Sequence, residues 1–97
     1  MKKTAFITGA TSGFGRACAE MFAEKGWNLV LSGRREKRLQ ELQEKFTQVA
    51  VHTAVCDVRE RAQVEVMIAG IPDSHADIDL LVNNAGLALG MKPAQVS

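Results

Sequence analysis

The feature that most constrains this chain is the alternation of two hydrophobic periods along its length. Short apolar runs occupy residues 4–8 (Thr-Ala-Phe-Ile-Thr), 28–32 (Asn-Leu-Val-Leu-Ser), 49–55 (Val-Ala-Val-His-Thr-Ala-Val) and 78–82 (Ile-Asp-Leu-Leu-Val). Their length and aliphatic, β-branched content suit strands. Between them lie segments with helical spacing. Over 14–25, Phe14, Cys18, Met21, Phe22 and Lys25 recur on one face, and Gly26 stops the helix where a left-handed residue is wanted. Over 35–46 the stripe is Leu39, Leu42 and Phe46, with Glu41 four residues before Lys45. Over 60–69 it is Val64, Met67 and Ile68, with Ile71 just beyond and Pro72 as the stop. The resulting order is β-α-β-α-β-α-β. Such alternation implies right-handed crossovers and a parallel sheet covered on both faces. The run 78–82 suits a strand with neighbours on both sides. No further strand is expected from Leu87 to Ser97, which carries Gly90 and Pro93 and shows no closing helix.

Length and charge bound the rest. The 97 residues make one small domain at most, or a piece of one, with marginal stability. A formal net charge of +1 offers no electrostatic case for nucleic acid or an anionic membrane, so any anion must be held by local geometry. The apolar stretch after Met1-Lys2-Lys3 is broken by Gly9, Thr11, Ser12 and Gly13, too early for a signal sequence or a membrane span. Cys18 and Cys56 form no CxxC pair and read as reduced core thiols of a cytoplasmic protein.

Chemistry concentrates in the turn after the first strand, Thr8-Gly9-Ala10-Thr11-Ser12-Gly13-Phe14-Gly15. Gly9 permits a sharp exit from the strand. Gly13 lets a phosphate approach the backbone where a Cβ would collide. Gly15 lets the helix start close to the sheet. The N–H groups of the first helical turn then meet a pyrophosphate, aided by the helix dipole. The end of the second strand selects the dinucleotide. NAD sites place an Asp or Glu there, about 20 residues beyond the glycines, on the ribose hydroxyls. This chain has Ser32-Gly33-Arg34-Arg35 instead. No carboxylate repels a 2′-phosphate, and Arg34 and Arg35 bring fork-shaped donors to receive one. NADP(H) is therefore expected over NAD(H). Arg34 and Arg35 could otherwise simply begin a charged helix surface with Lys37 and Arg38.

The Gly-x-x-x-Gly-x-Gly spacing, Val55-Cys56-Asp57-Val58 after the third strand and Asn83-Asn84-Ala85-Gly86 after the fourth together resemble the short-chain dehydrogenase/reductase family. The resemblance runs along essentially the whole chain. It implies a Rossmann-type, doubly wound parallel sheet, of which these are the first four strands in the order 3-2-1-4. It also implies a cofactor site made of Gly9, Ala10, Thr11, Ser12, Gly13, Phe14, Gly15, Arg34, Arg35, Asp57, Val58, Asn83, Asn84, Ala85 and Gly86, with Asp57 on the adenine. Within the family, Asn83 to Ala94 is most similar to the NADP-dependent serine 3-dehydrogenases, also called 3-hydroxy acid dehydrogenases. The activity so implied is hydride transfer between nicotinamide and the hydroxyl or carbonyl of serine or another 3-hydroxy acid, in a protein expected to be a homo-oligomer when complete.

The departure from the family is as informative. Its catalysis uses a Tyr, a Lys three or four residues later, a Ser and an upstream Asn, and this chain contains no tyrosine. Residues 1–97 are accordingly expected to be the N-terminal part of a single cofactor domain, with no catalytic residue and no metal ligand of their own. His52 reads as a packed or edge histidine. His75, among Asp73, Asp77 and Asp79, reads as part of a solvated turn rather than a metal cluster. Two other readings compete: a stand-alone NADPH-binding or regulatory module without catalysis, and another Rossmann enzyme such as a methyltransferase. The second is disfavoured by Gly33-Arg34 where an acidic residue is wanted.

Overall fold

The structure is a computed structural model of the chain and describes residues 3–57, 60–72, 75, 77–83 and 94–96. Its elements follow the order β1 (Thr4–Thr8), α1 (Gly13–Glu24), β2 (Asn28–Gly33), α2 (Glu36–Lys45), β3 (Val51–Val55), α3 (Arg61–Ala69), β4 (Leu80–Asn83) and β5 (Ala94–Val96). The strands form one parallel sheet in the order β3-β2-β1-β4-β5. From β1 to β3 the chain moves outward in one direction, so right-handed crossovers place α1 and α2 on one face. It then returns to set β4 on the other side of β1, and the reversed direction puts α3 on the opposite face.

The period-2 pattern of the strands serves both faces. Ala5 and Ile7 of β1, Leu29 and Leu31 of β2 and Val82 of β4 pack with Ala19, Phe22, Leu39, Leu42 and Phe46 from α1, α2 and the residue after α2. Phe6, Val30 and Leu81 point the other way, onto Val64 and Met67 of α3. Each fully buried aliphatic side chain of this kind stabilises the fold by about 1.5–3 kcal/mol. Register is pinned at the strand starts by polar contacts: Asp79 Oδ2 accepts from Thr4 N–H at 2.8 Å, and Asn28 Oδ1 accepts from Ala50 N–H at 3.2 Å. Helix α1 ends as expected, with Gly26 at φ +81°. No helix among the described residues is long and apolar enough to cross a membrane.

Three expectations are corrected. A fifth strand exists: Leu80, Leu81 and Val82 pair in parallel with Ala94, Gln95 and Val96. Three residues are too few to show a period, and the far edge of β4 supplies the partner that makes them a strand. The buried face of α1 is Gly15, Ala19, Phe22 and Ala23, not the bulkier stripe expected, and Phe14 and Met21 are 54% and 44% exposed. The helix lies too close to the sheet for large side chains, so small ones face it. Phe14 and Met21 turn sideways and line an apolar groove with Ala17, Cys18, Leu80 and Val82. Cys18 and Cys56 are both free thiols, half-buried and buried respectively.

His75 is the third correction, because it is buried rather than solvated. Its Nε2 donates to the Ala50 carbonyl at 3.3 Å, and its ring lies 6.2 Å from that of His52. Ile71 and Ile78 flank this polar loop and pack against the α3 core, which draws His75 inward. Asp73 lies outside the described residues. Burial first, and the neighbouring His75 second, hold the His52 imidazole below the usual histidine range. The unfolded chain then takes up the proton first as pH falls, so the histidine destabilises the fold below about pH 6.5 and the penalty levels off once the folded form is protonated too. The melting temperature is expected to fall between pH 7.5 and 5.5, and His52→Gln to flatten that slope. An unchanged slope in the variant would remove His52 from the account.

Candidate functional site

The site begins where β1 meets α1. Gly9 leaves the strand at φ +63°, a conformation that favours glycine. Its carbonyl accepts from Ser12 N–H at 3.1 Å and from Ser12 Oγ at 2.9 Å, which closes the turn. Ser12 is also the N-cap of α1, accepting from Gly15 N–H at 3.3 Å. The first intrahelical bond runs from Arg16 N–H to Ser12 O, so helix geometry gives Gly13 and Phe14 N–H no acceptor within α1.

The three glycines have different reasons to be glycine. A Cβ on Gly15 would collide with the Gly9 carbonyl oxygen and lie 3.0 Å from Ala10 Cα. Gly15 is what allows α1 to start against its own turn. A Cβ on Gly13 would have nothing within 4 Å, and its φ is not left-handed. Neither backbone nor packing requires glycine at 13; the space beside it is open.

That space is a cleft of about 600 Å³ lined by Gly9, Thr11, Ser12, Gly13, Gly33, Arg34, Arg35, Arg38, Cys56 and Asp57. It lies at the carboxyl ends of β1, β2 and β3, beside the point where strand order reverses between β1 and β4, which is where open α/β sheets bind ligands. Backbone bonds weld its floor: Ala10 N–H donates to Ser32 O at 2.9 Å, and Cys56 N–H donates to Gly33 O at 2.9 Å. Gln63 of α3 holds Asp57 N–H at 2.9 Å. Burial pushes the Cys56 thiol up, and the Asp57 carboxylate adds to this, so Cys56 is a packed wall and not a nucleophile.

Among the residues singled out in the sequence, the cleft gathers Gly9, Thr11, Ser12, Gly13, Arg34, Arg35 and Asp57. Ala10 is buried beneath the turn and Phe14 turns outward toward the apolar groove. Asn83 ends β4 and pairs with Thr8 of β1. Val58, Asn84, Ala85 and Gly86 lie outside the described residues. Arg38 is a residue that the sequence reading left on the helix surface. It lies in the first turn of α2, three residues beyond the N-cap Arg35, and it reaches the cleft because α2 starts at the rim. Among the described residues, Arg34, Arg35 and Arg38 enter no ion pair, whereas Arg16 and Lys45 share Glu20 at 3.3 and 3.2 Å. Lys45, and then Arg16, hold the Glu20 carboxyl below its ordinary range. The cleft thus combines a helix N-terminus with three uncommitted guanidiniums, an arrangement suited to a ligand carrying phosphate at two places.

Known proteins carry the same framework. The sequence model of the short chain dehydrogenase family matches residues 3–96. Sulfoacetaldehyde reductase 2 of Chromohalobacter salexigens is 55% identical over 96 residues, which is 98% of this chain and 38% of that protein. The NADP-dependent 3-hydroxy acid dehydrogenase of Salmonella typhi is 51% identical over 88 residues, 91% of this chain and 35% of its own length. The chain therefore spans little more than a third of these curated relatives. Among solved structures, the closed form of a serine dehydrogenase complexed with NADP+ superimposes with a TM-score of 0.78 at 45% identity, covering 93% of this chain and 36% of that one.

The two glycines of the helix start separate fold from ligand. Gly15→Ala is expected to cost about 1–3 kcal/mol of stability or more, the usual penalty of overpacking. Gly13→Ala adds a helix-favouring residue into open space and is expected to leave stability equal or slightly raised. Guanidinium denaturation of both variants checks this; equal losses would mean that Gly13 serves the fold after all.

Proposed function

The chain belongs to the short-chain dehydrogenase family, and from that premise we propose that it is the N-terminal, NADP(H)-binding part of an oxidoreductase acting on a small hydroxy acid or its carbonyl form. One observation carries the cofactor reading: Gly13, which the fold itself does not need, borders a cleft rimmed by Arg34, Arg35 and Arg38 with no carboxylate at the end of β2.

The residues fit such a group. Gly13 and Phe14 offer first-turn N–H donors to a pyrophosphate that comes close to the backbone. Arg34 and Arg35, with Arg38 behind them, take the 2′-phosphate by charge-assisted hydrogen bonds. Asp57 at the far wall accepts from the adenine edge, and the family resemblance adds Val58, Asn83, Asn84, Ala85 and Gly86 to the proposed cofactor site. NADPH, when bound, supplies a hydride to the substrate carbonyl carbon. The groups that move the proton belong to residues beyond this chain, which has no tyrosine.

The names of the relatives support one substrate class. Sulfoacetaldehyde and the semialdehyde of a 3-hydroxy acid share one chemistry: an aldehyde one methylene from an anionic head, sulfonate or carboxylate. We take short acids of this shape, serine included, as the substrate class of the complete enzyme, working in the cytoplasm as a homo-oligomer.

Three experiments on the full-length protein test this. Arg34→Ala is expected to lower the preference for NADPH over NADH by about 10- to 100-fold, since hydrogen bonds to charged groups are worth about 1.5–3 kcal/mol and about 1.4 kcal/mol is tenfold. Equal weakening of both cofactors would mean that Arg34 does not read the 2′-phosphate. Gly13→Val is expected to abolish binding of both cofactors while the protein stays folded. In turnover assays, NADPH-dependent reduction of sulfoacetaldehyde or malonate semialdehyde, or NADP+-dependent oxidation of serine, supports the substrate class; absence of all three refutes it.

A further inference from the structure

Position 33 is a closely packed point of the cleft. Gly33 ends β2 and is buried. Its φ is not left-handed, so the backbone does not demand glycine. A Cβ there would nevertheless be tight, 3.3 Å from Thr11 Cγ2 and 3.4 Å from Thr11 Oγ1, with Leu39 Cδ2 at 3.7 Å, so the Thr11 side chain must give by a few tenths of an ångström to admit one.

Both γ atoms of Thr11 therefore face the place a side chain would occupy. A β-branched residue fills two of the three staggered positions about χ1. Any other staggered rotamer of Thr11 still leaves a γ atom in one of the two crowding positions. Retreat of the backbone is blocked from both sides. The Ala10 N–H bond to Ser32 O ties the glycine turn to β2 at 2.9 Å, and the Cys56 N–H bond to Gly33 O ties β2 to the end of β3 at 2.9 Å. Gly33 also stands about 20 residues beyond Gly13, the distance at which NAD-selecting sites place their ribose-binding carboxylate.

We propose that Thr11 is a specificity-determining residue of the cofactor site: packed against Gly33, it keeps a side chain, and so a carboxylate, off the end of β2 and leaves the ribose 2′ position to Arg34 and Arg35. The proposal rests on the NADP(H) reading and adds a steric determinant to the electrostatic one. Thr11 acts through Gly33, by packing, and not by contact with a reacting atom. Its consequence is that cofactor preference cannot be reversed by charge alone. A carboxylate introduced at position 33 is displaced from the ribose unless position 11 yields room. Serine yields it, because its single γ atom can take the third staggered position. Valine does not, because its two γ atoms always leave at least one crowding position filled.

The experiment is fluorescence titration of NADPH and NADH against the full-length protein carrying Gly33→Asp alone, Gly33→Asp with Thr11→Ser, and Gly33→Asp with Thr11→Val. Gly33→Asp alone is expected to lose NADPH at least about tenfold by charge repulsion without gaining NADH. Adding Thr11→Ser is expected to raise NADH affinity about five- to a hundredfold, the equivalent of relieved overpacking. Adding Thr11→Val is expected to restore nothing. Gly33→Ala, which carries the crowding atom without charge, reads the packing by melting temperature even where Gly33→Asp does not fold: it should melt below wild type, and Thr11→Ser should recover the loss. Equal NADH affinity with and without Thr11→Ser, rescue by Thr11→Val, or no thermal recovery would overturn the lock. A wild-type protein without NADPH preference would remove the cofactor reading and the lock with it, whereas a normal preference with no rescue removes the lock alone.

Discussion

Helix α1 starts against the turn that precedes it, and the absence of a Cβ at Gly15 beside the Gly9 carbonyl sets how near the helix can lie to the sheet. Much follows from that approach. It selects Ala19 and Ala23 as sheet-facing residues and leaves Phe22 as the large side chain of the buried face. It turns Phe14 and Met21 to the flank. It also aims the open end of the helix across the carboxyl ends of β1 and β2, so that the same contact that packs the core also makes the cleft.

The cleft depends on topology as much as on residue type. Because β2 and β4 lie on opposite sides of β1, the chain leaves an opening above β1 that no connecting helix covers. The glycine turn fills the floor of this opening, and its bond to Ser32 O holds it to the strand that carries the arginines. A chain with a net charge of only +1 has no long-range field to gather anions. Three exposed guanidiniums and a helix N-terminus on one rim give it a local one.

The likeness to short-chain dehydrogenases enters at this level, as a framework shared in element order and strand order. The relatives named above differ in the acids they act on, sulfonate in one and 3-hydroxy acid in another, while matching this chain at similar identity.

The sequence alone determined the order of the first four strands and the helices between them, the glycine turn that opens α1, and the pairing of Arg34 and Arg35 with a missing carboxylate. These are local: periods of 2 and 3.6, a backbone angle at Gly9, and residue chemistry at strand ends are written within a few positions of one another. Tertiary structure decided the rest. Which face of α1 is buried depends on how closely the sheet is approached, not on which stripe is bulkiest. Ala94–Val96 becomes a strand only because β4 offers an edge. His75 is buried only because its neighbours Ile71 and Ile78 are held by a core built from distant residues. Arg38 joins the cleft, and Thr11 meets Gly33, across separations that no short period encodes. Contacts of that kind depend on the shape left between elements once they have packed, and that shape exists only in the folded chain.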